Sequence, residues 1–483
     1  MAGSSLPWNF VALAVLVYCA LRWKRNRTRL PLPPGPKKLP LVGNLFDMPP
    51  DRQWESYHRW SQEFDSDIIH LDVAGTSIVV LSSMEAAREL FERRSSLYSD
   101  RRAHRKMIHE AFNVGAAKQF RPQERAAAHA LLRRQFRLLA GGLIMDITYG
   151  IQVSTSDDPY IKMATEAMHG LAVATIPGAF LVDTIPLLKS VPSWVPGAGF
   201  KRQAQRWRKV TLDMLEMPFR EVKRNTLAGT APPSFASLSL RRLDESKGVD
   251  KQAQEVIIKG TAGSMYAAGA DTTVSALGTF VLAMLANPEA QAKAQAELDA
   301  VIGPGNLPDF ADEASLPYVS AIVKEVLRWK NVTPIGIPHY VAVEDEYAGY
   351  RIPAGSIVVG NTWSILHDQD MYPDPHSFKP ERFLRDGTLN PAVRDPQTAA
   401  FGFGRRICPG MHMALGSMWI TIASILATLH IGKAADEHGK VLEPSYEYFS
   451  GLVSAPLPFK CSITPRSAQA AEAIEATGGS EEQ

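Results

Sequence analysis

The chain has few cysteines and no excess of charge of either sign. Its 483 residues include only Cys19, Cys408 and Cys461, which are far apart and so do not suggest a disulfide framework. We therefore expect the globular part to lie in a reducing compartment. The 52 lysines and arginines nearly balance the 50 aspartates and glutamates, so the composition lacks the basic excess that is typical of nucleic-acid-binding proteins. We expect no nucleic-acid partner.

Repeats of fixed period are also absent, and amphipathic helical stretches alternate with Pro and Gly breaks through most of the chain. The predicted fold is mainly α with small β-sheets. Residues 68–81, IIHLDVAGTSIVVL, predict a hairpin around Ala74 and Gly75, and residues 340–359 predict further strands. Residues 84–92 look helical, and residues 226–250 are expected to form an internal loop.

The N-terminus departs from a soluble composition. Residues 6–21, LPWNFVALAVLVYCAL, are followed by a cluster of five basic residues between Arg22 and Arg29. Because positive residues stay cytoplasmic, we expect a single short membrane anchor with the body of the protein in the cytosol. A cleaved signal peptide and a buried helix are the alternatives.

These patterns divide the chain into four parts. We expect an anchor with a basic flank (1–29), a proline-rich hinge (30–36), one globular domain (37–466) and a disordered tail (467–483). Residues 176–195 are apolar and contain several prolines. They predict either an ordinary helix-loop-helix or a patch that dips into the bilayer.

Cys408 lies in an unusual setting, FGFGRRICPG at residues 401–410. An isolated cysteine is ordinarily a small buried hydrophobe. Here the glycines allow close backbone approach, and nearby N–H groups with Arg405 and Arg406 are expected to lower the thiol pKa. No credible histidine base is present for a nucleophile, and Cys408 with His412 makes only half a zinc site. The remaining reading is a single axial thiolate on haem iron.

Two further motifs carry polar residues in apolar surroundings. A helix of about 32 residues, or about 48 Å, is predicted from Glu255 to Ala286, and AAGADTT (267–273) stands in its middle. Either Asp271 or Thr272 caps a new helix there, or one buried helix is locally perturbed by the hydroxyl and leaves room for a ligand.

The second motif is a pair of opposite charges, Glu325 and Arg328, on one face of a helix that Pro317 opens. As an isolated pair it would be a surface salt bridge. Arg382, in KPERF at residues 379–383, is a possible third member of a charged network.

Together these motifs resemble the signature set of the cytochrome P450 family. The matching stretches are Phe401-x-x-Gly404-x-Arg406-x-Cys408-x-Gly410, Glu325-x-x-Arg328, Pro380-Glu-Arg-Phe383 and Ala268-Gly269-x-Asp271-Thr272-Thr273. The resemblance covers nearly the whole chain. It is of the microsomal fungal type and similar to the O-methylsterigmatocystin oxidoreductase group.

The resemblance implies a role for each matching residue. Cys408 would be the axial ligand of haem b (iron protoporphyrin IX), shielded by Phe401 within a loop that Gly404 and Gly410 shape. Arg406, His339 and Arg105 would contact the haem propionates, and Glu325, Arg328 and Arg382 would form a buried structural triad. Thr272 and Asp271 would be catalytic, delivering protons to O2 at the iron, with space left by Ala268 and Gly269.

The sequence departs from the family pattern at two points. After Asp100 a loop over the substrate pocket seems to be missing, and Arg101 stands where the family has a tryptophan. A second contraction follows near Phe136. Either the chain is a shortened or mis-spliced form that folds poorly, or it is a true variant with an open distal pocket.

The function that the sequence predicts is oxidation of a lipophilic small molecule, in secondary metabolism or xenobiotic handling, by an endoplasmic reticulum monooxygenase. Its partners would be O2 and NADPH-cytochrome P450 reductase. The alternatives are a haem-binding but catalytically impaired variant and a membrane-tethered, non-enzymatic protein with a vestigial site.

Overall fold

A computed structural model describes residues 30–98, 114–132, 136–153, 157–174 and 180–477. The described chain is mainly helical with small sheets, as predicted. The longer helices are α1 (Gln53–Glu63), α2 (Arg121–Leu131), α3 (Phe136–Tyr149), α4 (Pro159–Ala174), α5 (Gly199–Leu227), α6 (Phe235–Glu245), α7 (Lys251–Ala286), α8 (Pro288–Val301), α9 (Pro317–Trp329), α10 (Met411–Thr428) and α11 (Ala468–Ala476).

Short helical segments and strands connect these helices. The short α-helices are Met84–Ala87, Ser95–Tyr98, Val114–Ala117, Leu181–Thr184, Thr362–Leu366 and Gln397–Ala400. The 3-10 turns are Leu45–Asp47, Lys118–Phe120, Pro186–Ser190, Phe310–Ser315, Pro380–Phe383 and Gly404–Arg406, and Arg88–Arg93 forms a π-helical turn. The strands are β1 (Ile68–Val73), β2 (Thr76–Leu81), β3 (His339–Tyr340), β4 (Asp345–Tyr347), β5 (Tyr350–Ile352), β6 (Ile357–Gly360), β7 (Leu384–Arg385), β8 (Thr388–Leu389), β9 (Leu429–Lys433), β10 (Tyr448–Phe449), β11 (Ala455–Pro456) and β12 (Cys461–Pro465).

The largest sheet has four strands in the order β1-β2-β6-β3. The predicted hairpin is present, because β1 and β2 pair antiparallel and the two turn residues, Ala74 and Gly75, both have positive φ, as a tight hairpin turn requires. β2 pairs parallel to β6, and β3 pairs antiparallel to β6. This sheet therefore places His339, at the start of β3, in the same sheet as residues 68–81 of β1 and β2.

The long central helix is continuous, as the apolar pattern on both sides of AAGADTT predicted. Asp250 caps α7 by accepting hydrogen bonds from the N–H groups of Gln252 and Ala253, which satisfies two otherwise unpaired donors. The N-terminal half of α7 packs in one hydrophobic cluster with α3, α4, α5 and α6. Its C-terminal half packs in another with α9 and α10. The Asp-Thr-Thr step falls between these two clusters.

The proline-rich hinge is docked on two sheets, on β1 of the four-stranded sheet and on β5 of the two-stranded β4–β5 sheet. Pro34 O accepts a hydrogen bond from His70 N, and Pro31 O accepts one from Arg351 N. At Gly35 a Cβ would lie 2.3 Å from His70 O, so a larger residue could not keep this approach. The segment is extended, as its prolines predict, but it is part of the domain surface rather than a free spacer.

Two loop predictions were wrong. Residues 226–250 contain α6, whose start is fixed by a capping box between Ser234 and Ser237; both serines cap a helix rather than mark a loop. The tail predicted to be disordered forms α11 at Ala468–Ala476, capped by Ser467 and packed through Ala470. Local burial outweighs the lack of aromatic residues there.

Several predictions fall outside the described residues. These are the membrane anchor in residues 1–29, Arg105, and the contraction after Asp100. Within the described ranges, α7 and α10 are long and apolar enough to cross a membrane, but 61% and 67% of their most apolar windows are buried in the fold. Their hydrophobicity is accounted for by the core.

Candidate functional site

The loop that carries Cys408 is shaped by two glycines with positive φ. Gly402 has φ +76° and Gly404 has φ +54°, and a Cβ at Gly404 would lie 2.1 Å from Phe91 O. Only glycine fits such a position without displacing backbone. Cys408 N donates to Phe401 O over 2.7 Å, which closes the loop, and α10 begins at Met411 directly after Gly410. The loop therefore fixes Cys408 just ahead of a long buried helix.

The Cys408 thiol does not have the lowered pKa that the sequence predicted. Burial is the largest influence and raises the pKa, while the Gly410 N–H opposes it. The neighbouring arginines do not reverse this effect, because Arg405 is directed to solvent. A thiolate at this position would therefore require a bound metal, since coordination deprotonates a ligating thiol.

A cleft adjoins this loop. Within α7, residues 267–274 are largely half-exposed and Ala268 is exposed, although buried residues flank them on both sides. In α10, residues 411–416 are likewise half-exposed, whereas residues 417–428 are buried. α7 and α10 pack against each other. Exposure inside such a core requires an adjoining space, so the two stretches indicate a cleft between the AAGADTT segment and the start of α10.

Thr272 holds its hydroxyl against the helix in this cleft. Its Oγ1 donates to Ala268 O over 2.7 Å, the back-bonding pattern that a hydroxyl makes inside a helix. The capping alternative was wrong, because the helix continues through this step. Gly269 does not add space to the cleft: a Cβ there would lie 2.8 Å from the Ile144 side chain, so this glycine permits close packing of α3 on α7.

The three charged residues of the Glu-x-x-Arg and Pro-Glu-Arg-Phe motifs lie in contact. Arg328 donates from Nε and NH2 to the two oxygens of Glu325 over 2.7 and 2.8 Å, and Arg382 Nε lies 3.1 Å from Glu325 Oε1. Glu325 and Arg328 have no exposed side-chain surface. The surface-pair alternative was therefore wrong.

Backbone carbonyls satisfy the remaining donors of the two arginines. Arg328 donates to the carbonyls of Leu366, Pro375 and Ser377, and Arg382 donates to those of Pro373, Asp374 and Ser377. Buried charges are tolerated when they are paired and hydrogen-bonded in this way. The triad thereby ties α9 to the segment 366–382.

His339 packs beside the Cys408 loop. Its ring stacks on Phe91 with centroids 3.9 Å apart, and its Nδ1 lies 3.1 Å from Tyr98 O. Burial lowers the imidazole pKa, and Arg406 lowers it further. Because the carbonyl needs a donor, Nδ1 carries the proton and Nε2 is an acceptor in the neutral ring. His339 can thus donate to a propionate only when it is protonated.

The structure brings some predicted residues together and leaves others apart. His339 and Gly404 both contact Phe91, a residue that no sequence motif indicated, and Arg406 lies near His339. The Phe401 side chain packs against the cluster of α7, α9 and α10, and its backbone carbonyl contacts Cys408. The glycine at position 404 of the motif was the available signal that another backbone segment, here that of Phe91, approaches the loop closely.

The residues present fit a haem. A single cysteine precedes α10, the exposed Ala268 lies within the otherwise largely buried central helix, and Arg406 lies near His339. Within the ranges that the structure describes, no group of three or more His, Cys, Asp or Glu could hold a metal ion.

Comparisons with known proteins agree with this site. A sequence model described as "Cytochrome P450" matches residues 116–462. Cytochrome P450 monooxygenase 98 of Postia placenta is 48% identical over 512 aligned positions, which cover 98% of this chain and 97% of the relative. Cytochrome P450 monooxygenase ple1 of Rhodocybe pseudopiperita is 41% identical, with 97% and 95% covered. Tryptamine 4-monooxygenase of Psilocybe cyanescens is 38% identical, with 96% and 98% covered.

These matches extend over almost the entire length of the chain and of each relative. They do not confirm the resemblance to the O-methylsterigmatocystin oxidoreductase group. The motifs, the mainly helical fold and the relatives lead to one conclusion: the chain belongs to the cytochrome P450 family of monooxygenases.

Proposed function

We propose that the chain is a haem-thiolate monooxygenase that inserts one oxygen atom of O2 into a lipophilic small molecule. NADPH-cytochrome P450 reductase would supply the two electrons, and the second oxygen atom would leave as water. The observation that carries the proposal is that Cys408 directly precedes α10, whose half-exposed start and the half-exposed Asp271–Thr272 stretch of the adjoining α7 indicate a cleft. Haem with a thiolate ligand supplies the activation of O2.

Residues of the Cys408 loop and of β3 would hold the cofactor. Cys408 Sγ would ligate the iron, while Arg406 and protonated His339 would bind propionate oxygens with charge-assisted hydrogen bonds. A propionate beside His339 would raise the imidazole pKa against the effects of burial and Arg406. The triad Glu325, Arg328 and Arg382 would act as a positioning group, since it fixes α9 and not the reacting atoms.

On the distal side, Ala268, Asp271 and Thr272 would organise proton delivery. The Thr272 hydroxyl proton is donated to Ala268 O, so the lone pairs of the hydroxyl oxygen are left to accept a hydrogen bond from water. Asp271 would relay protons from solvent to this water. Such general-acid roles require a group that can both accept and return a proton.

The proposed substrate is small and lipophilic, from secondary metabolism or a xenobiotic source. The name of one relative, tryptamine 4-monooxygenase, specifies a small molecule as that protein's substrate. The proposed substrate class rests on the surroundings of the cleft, which lies between two clusters of apolar side chains near α3, α7 and α10. Apolar walls favour the binding of apolar ligands.

The proposed location is the endoplasmic reticulum membrane, with the N-terminal segment as a single anchor and the domain in the cytosol. The apolar run of residues 6–21 and the basic residues after it support this orientation. A second support is the set of exposed apolar side chains in the segment 181–194: Leu181, Leu187 and Trp194 are 72%, 81% and 80% exposed. Together they would give a patch that enters the bilayer surface.

The test of the proposed function is the coupling of electron use to product. With a turnover substrate found by screening, Thr272→Ala should still consume NADPH but convert a smaller share, about tenfold less, into oxidised product. Thr272→Ser, which keeps the hydroxyl, should restore coupling. If the alanine variant couples as well as the wild type, Thr272 has no role in proton delivery.

A specific observation supports one alternative, a haem-binding but catalytically impaired variant. The alignment with the Postia relative spans 512 positions, more than the 483 residues of this chain, so it contains positions that this chain lacks. A haem-binding but impaired variant would show the thiolate-ligated spectrum without substrate-dependent product. Product formation from any substrate would exclude this alternative.

A further inference from the structure

A cavity of about 100 Å³ lies beyond the C-terminal end of α9 and shares no lining residue with the Cys408 site. Its walls come from the start of α1, the end of α9, the short helix Thr362–Leu366 and the segment 446–454. Aromatic rings from Trp54, Trp363, Tyr446 and Tyr448 form much of the wall. Such a surface suits the flat, apolar part of a small organic molecule.

Lys330 lines this cavity with an unpaired charge. Its Nζ lies 5.6 Å from the centroids of both the Trp329 and the Tyr448 rings, within range of cation–π attraction. Within the described chain, no carboxylate lies within 4.0 Å of this ammonium and no acceptor is hydrogen-bonded to it. Burial lowers the Lys330 pKa, and the carboxylate of Glu55 raises it. An anion bound beside Nζ would remove the cost of holding the charge there.

The charged lining residues are Arg52, Glu55 and Lys330. Arg52 lies between two carboxylates, with Asp51 Oδ2 3.8 Å from its Nε and Glu55 Oε1 3.9 Å from its NH1. Glu55 also attracts Lys330, since it raises the Lys330 pKa, but no lining carboxylate forms an ion pair with Lys330 Nζ within 4.0 Å.

A second polar group in the wall is also unsatisfied. Asn331 Nδ2 donates to Thr333 O over 3.1 Å, while Asn331 Oδ1 is buried without a hydrogen-bond partner. Native structures seldom leave such a group unpaired. Asn331 Oδ1 accepts hydrogen bonds only, so a donor would have to meet it, and a bound carboxylate would be held by Lys330 alone.

We propose that this cavity binds a small organic carboxylate, with the anionic group on Lys330 Nζ and the organic part between the aromatic rings. The site is separate from the substrate cleft, and the proposal does not depend on turnover. The occupant would contact the stretch that joins α9, which carries Glu325, to β3, which carries His339. Binding to the folded chain alone should also raise its unfolding temperature.

Calorimetric titration of the full-length, haem-loaded protein tests the site, with benzoate as the probe and benzamide as its uncharged counterpart. Benzoate should give saturable heat while the Soret band stays unchanged, and benzamide should bind about tenfold more weakly or worse, as expected for a lost charge-assisted hydrogen bond. Lys330→Met should weaken benzoate binding to a similar extent. Lys440→Met, which removes an exposed lysine elsewhere, should not.

The absence of saturable benzoate heat in the wild type, or equal affinity in Lys330→Met, would overturn the proposal. A measurement on the wild type alone guards against a variant that fails to fold. Acylation of lysines followed by peptide mass spectrometry should show that benzoate protects Lys330 and leaves Lys440 as reactive as before. Equal labelling of Lys330 with and without benzoate would also overturn it.

Discussion

Glu325 accepts hydrogen bonds from Arg328, Arg382 and the backbone N–H of Lys379, and it has no exposed surface. Glu325→Ala would leave Arg328 buried without a counterion. Removing one partner of a buried pair costs about 3–5 kcal/mol, so we expect the variant to accumulate without haem. The ratio of Soret to protein absorbance in purified material checks this. Glu447→Ala, at an exposed position, is the control and should retain haem.

Gly404 allows a test of one close contact, that between the Cys408 loop and the Phe91 carbonyl. Gly404→Ala places a Cβ 2.1 Å from Phe91 O at φ +54°, whereas Gly387→Ala meets nothing within 4 Å at φ +75°. Both variants carry the positive-φ cost of about 1–2 kcal/mol, but only the first must displace the Phe91 backbone. We expect Gly404→Ala to be the less stable in thermal unfolding. Equal unfolding temperatures would show that the loop does not need this contact.

Residue types could be predicted from the sequence better than their surroundings. The motif spacing indicated Glu325, Arg328 and Arg382 as a group, and the contacts exist. The pKa direction of the Cys408 thiol was wrong, because it depends on burial, which neighbouring residues in sequence do not report. Gly269 was assigned to the cleft for the same reason, since helical position alone does not say which neighbour a missing side chain faces.

At the scale of elements, α2 packs against α10 through a buried acid. Glu124 is 3% exposed, and its Oε2 lies 2.8 Å from the position of a Cβ at Gly416. Burial raises its pKa to about 8, against the opposing effect of Arg121. The folded chain therefore keeps this proton at pH values where the unfolded chain, with a carboxyl pKa near 4.5, has lost it.

The sign of the pH effect follows from that difference. The protonated Glu124 carboxyl makes its full contribution to the free energy of unfolding below about pH 4.5. This contribution is lost as the pH rises through about 8, which lowers the free energy of unfolding by about 2–5 kcal/mol. Glu124→Gln should therefore flatten the decline in unfolding free energy between about pH 5 and about pH 8. Denaturant unfolding across this range measures it, with the exposed Glu63→Gln as control. An unchanged slope in Glu124→Gln would contradict the buried-acid interpretation.

The elements differ in how far the sequence specified them. The hairpin of β1 and β2, the helix α9 and the continuity of α7 followed from strong local periodicity. The helices α6 and α11 were missed because each is rich in Ser, Ala or charge and owes its stability to capping and to packing against distant parts of the chain. Helix caps at Ser234 and Ser467 were the overlooked signals.

At the scale of the whole molecule, the family and the mainly helical fold could be predicted because several motifs occurred in a fixed order. The cavity at Lys330 could not, since it is assembled from segments near residues 52, 330, 363 and 446, which only the tertiary structure brings together. The cleft between the half-exposed stretches of α7 and α10 likewise depends on how the two helices pack.

The carbon monoxide difference spectrum of the reduced full-length protein tests the central claim most directly, recorded in microsomes beside Cys408→Ala. We predict a long-wavelength Soret band in the wild type that is lost in the variant, because a thiolate ligand shifts this band. A wild type that shows only the shorter-wavelength form, or a variant that keeps the long-wavelength band, would contradict the assignment of Cys408 as the haem ligand of this chain.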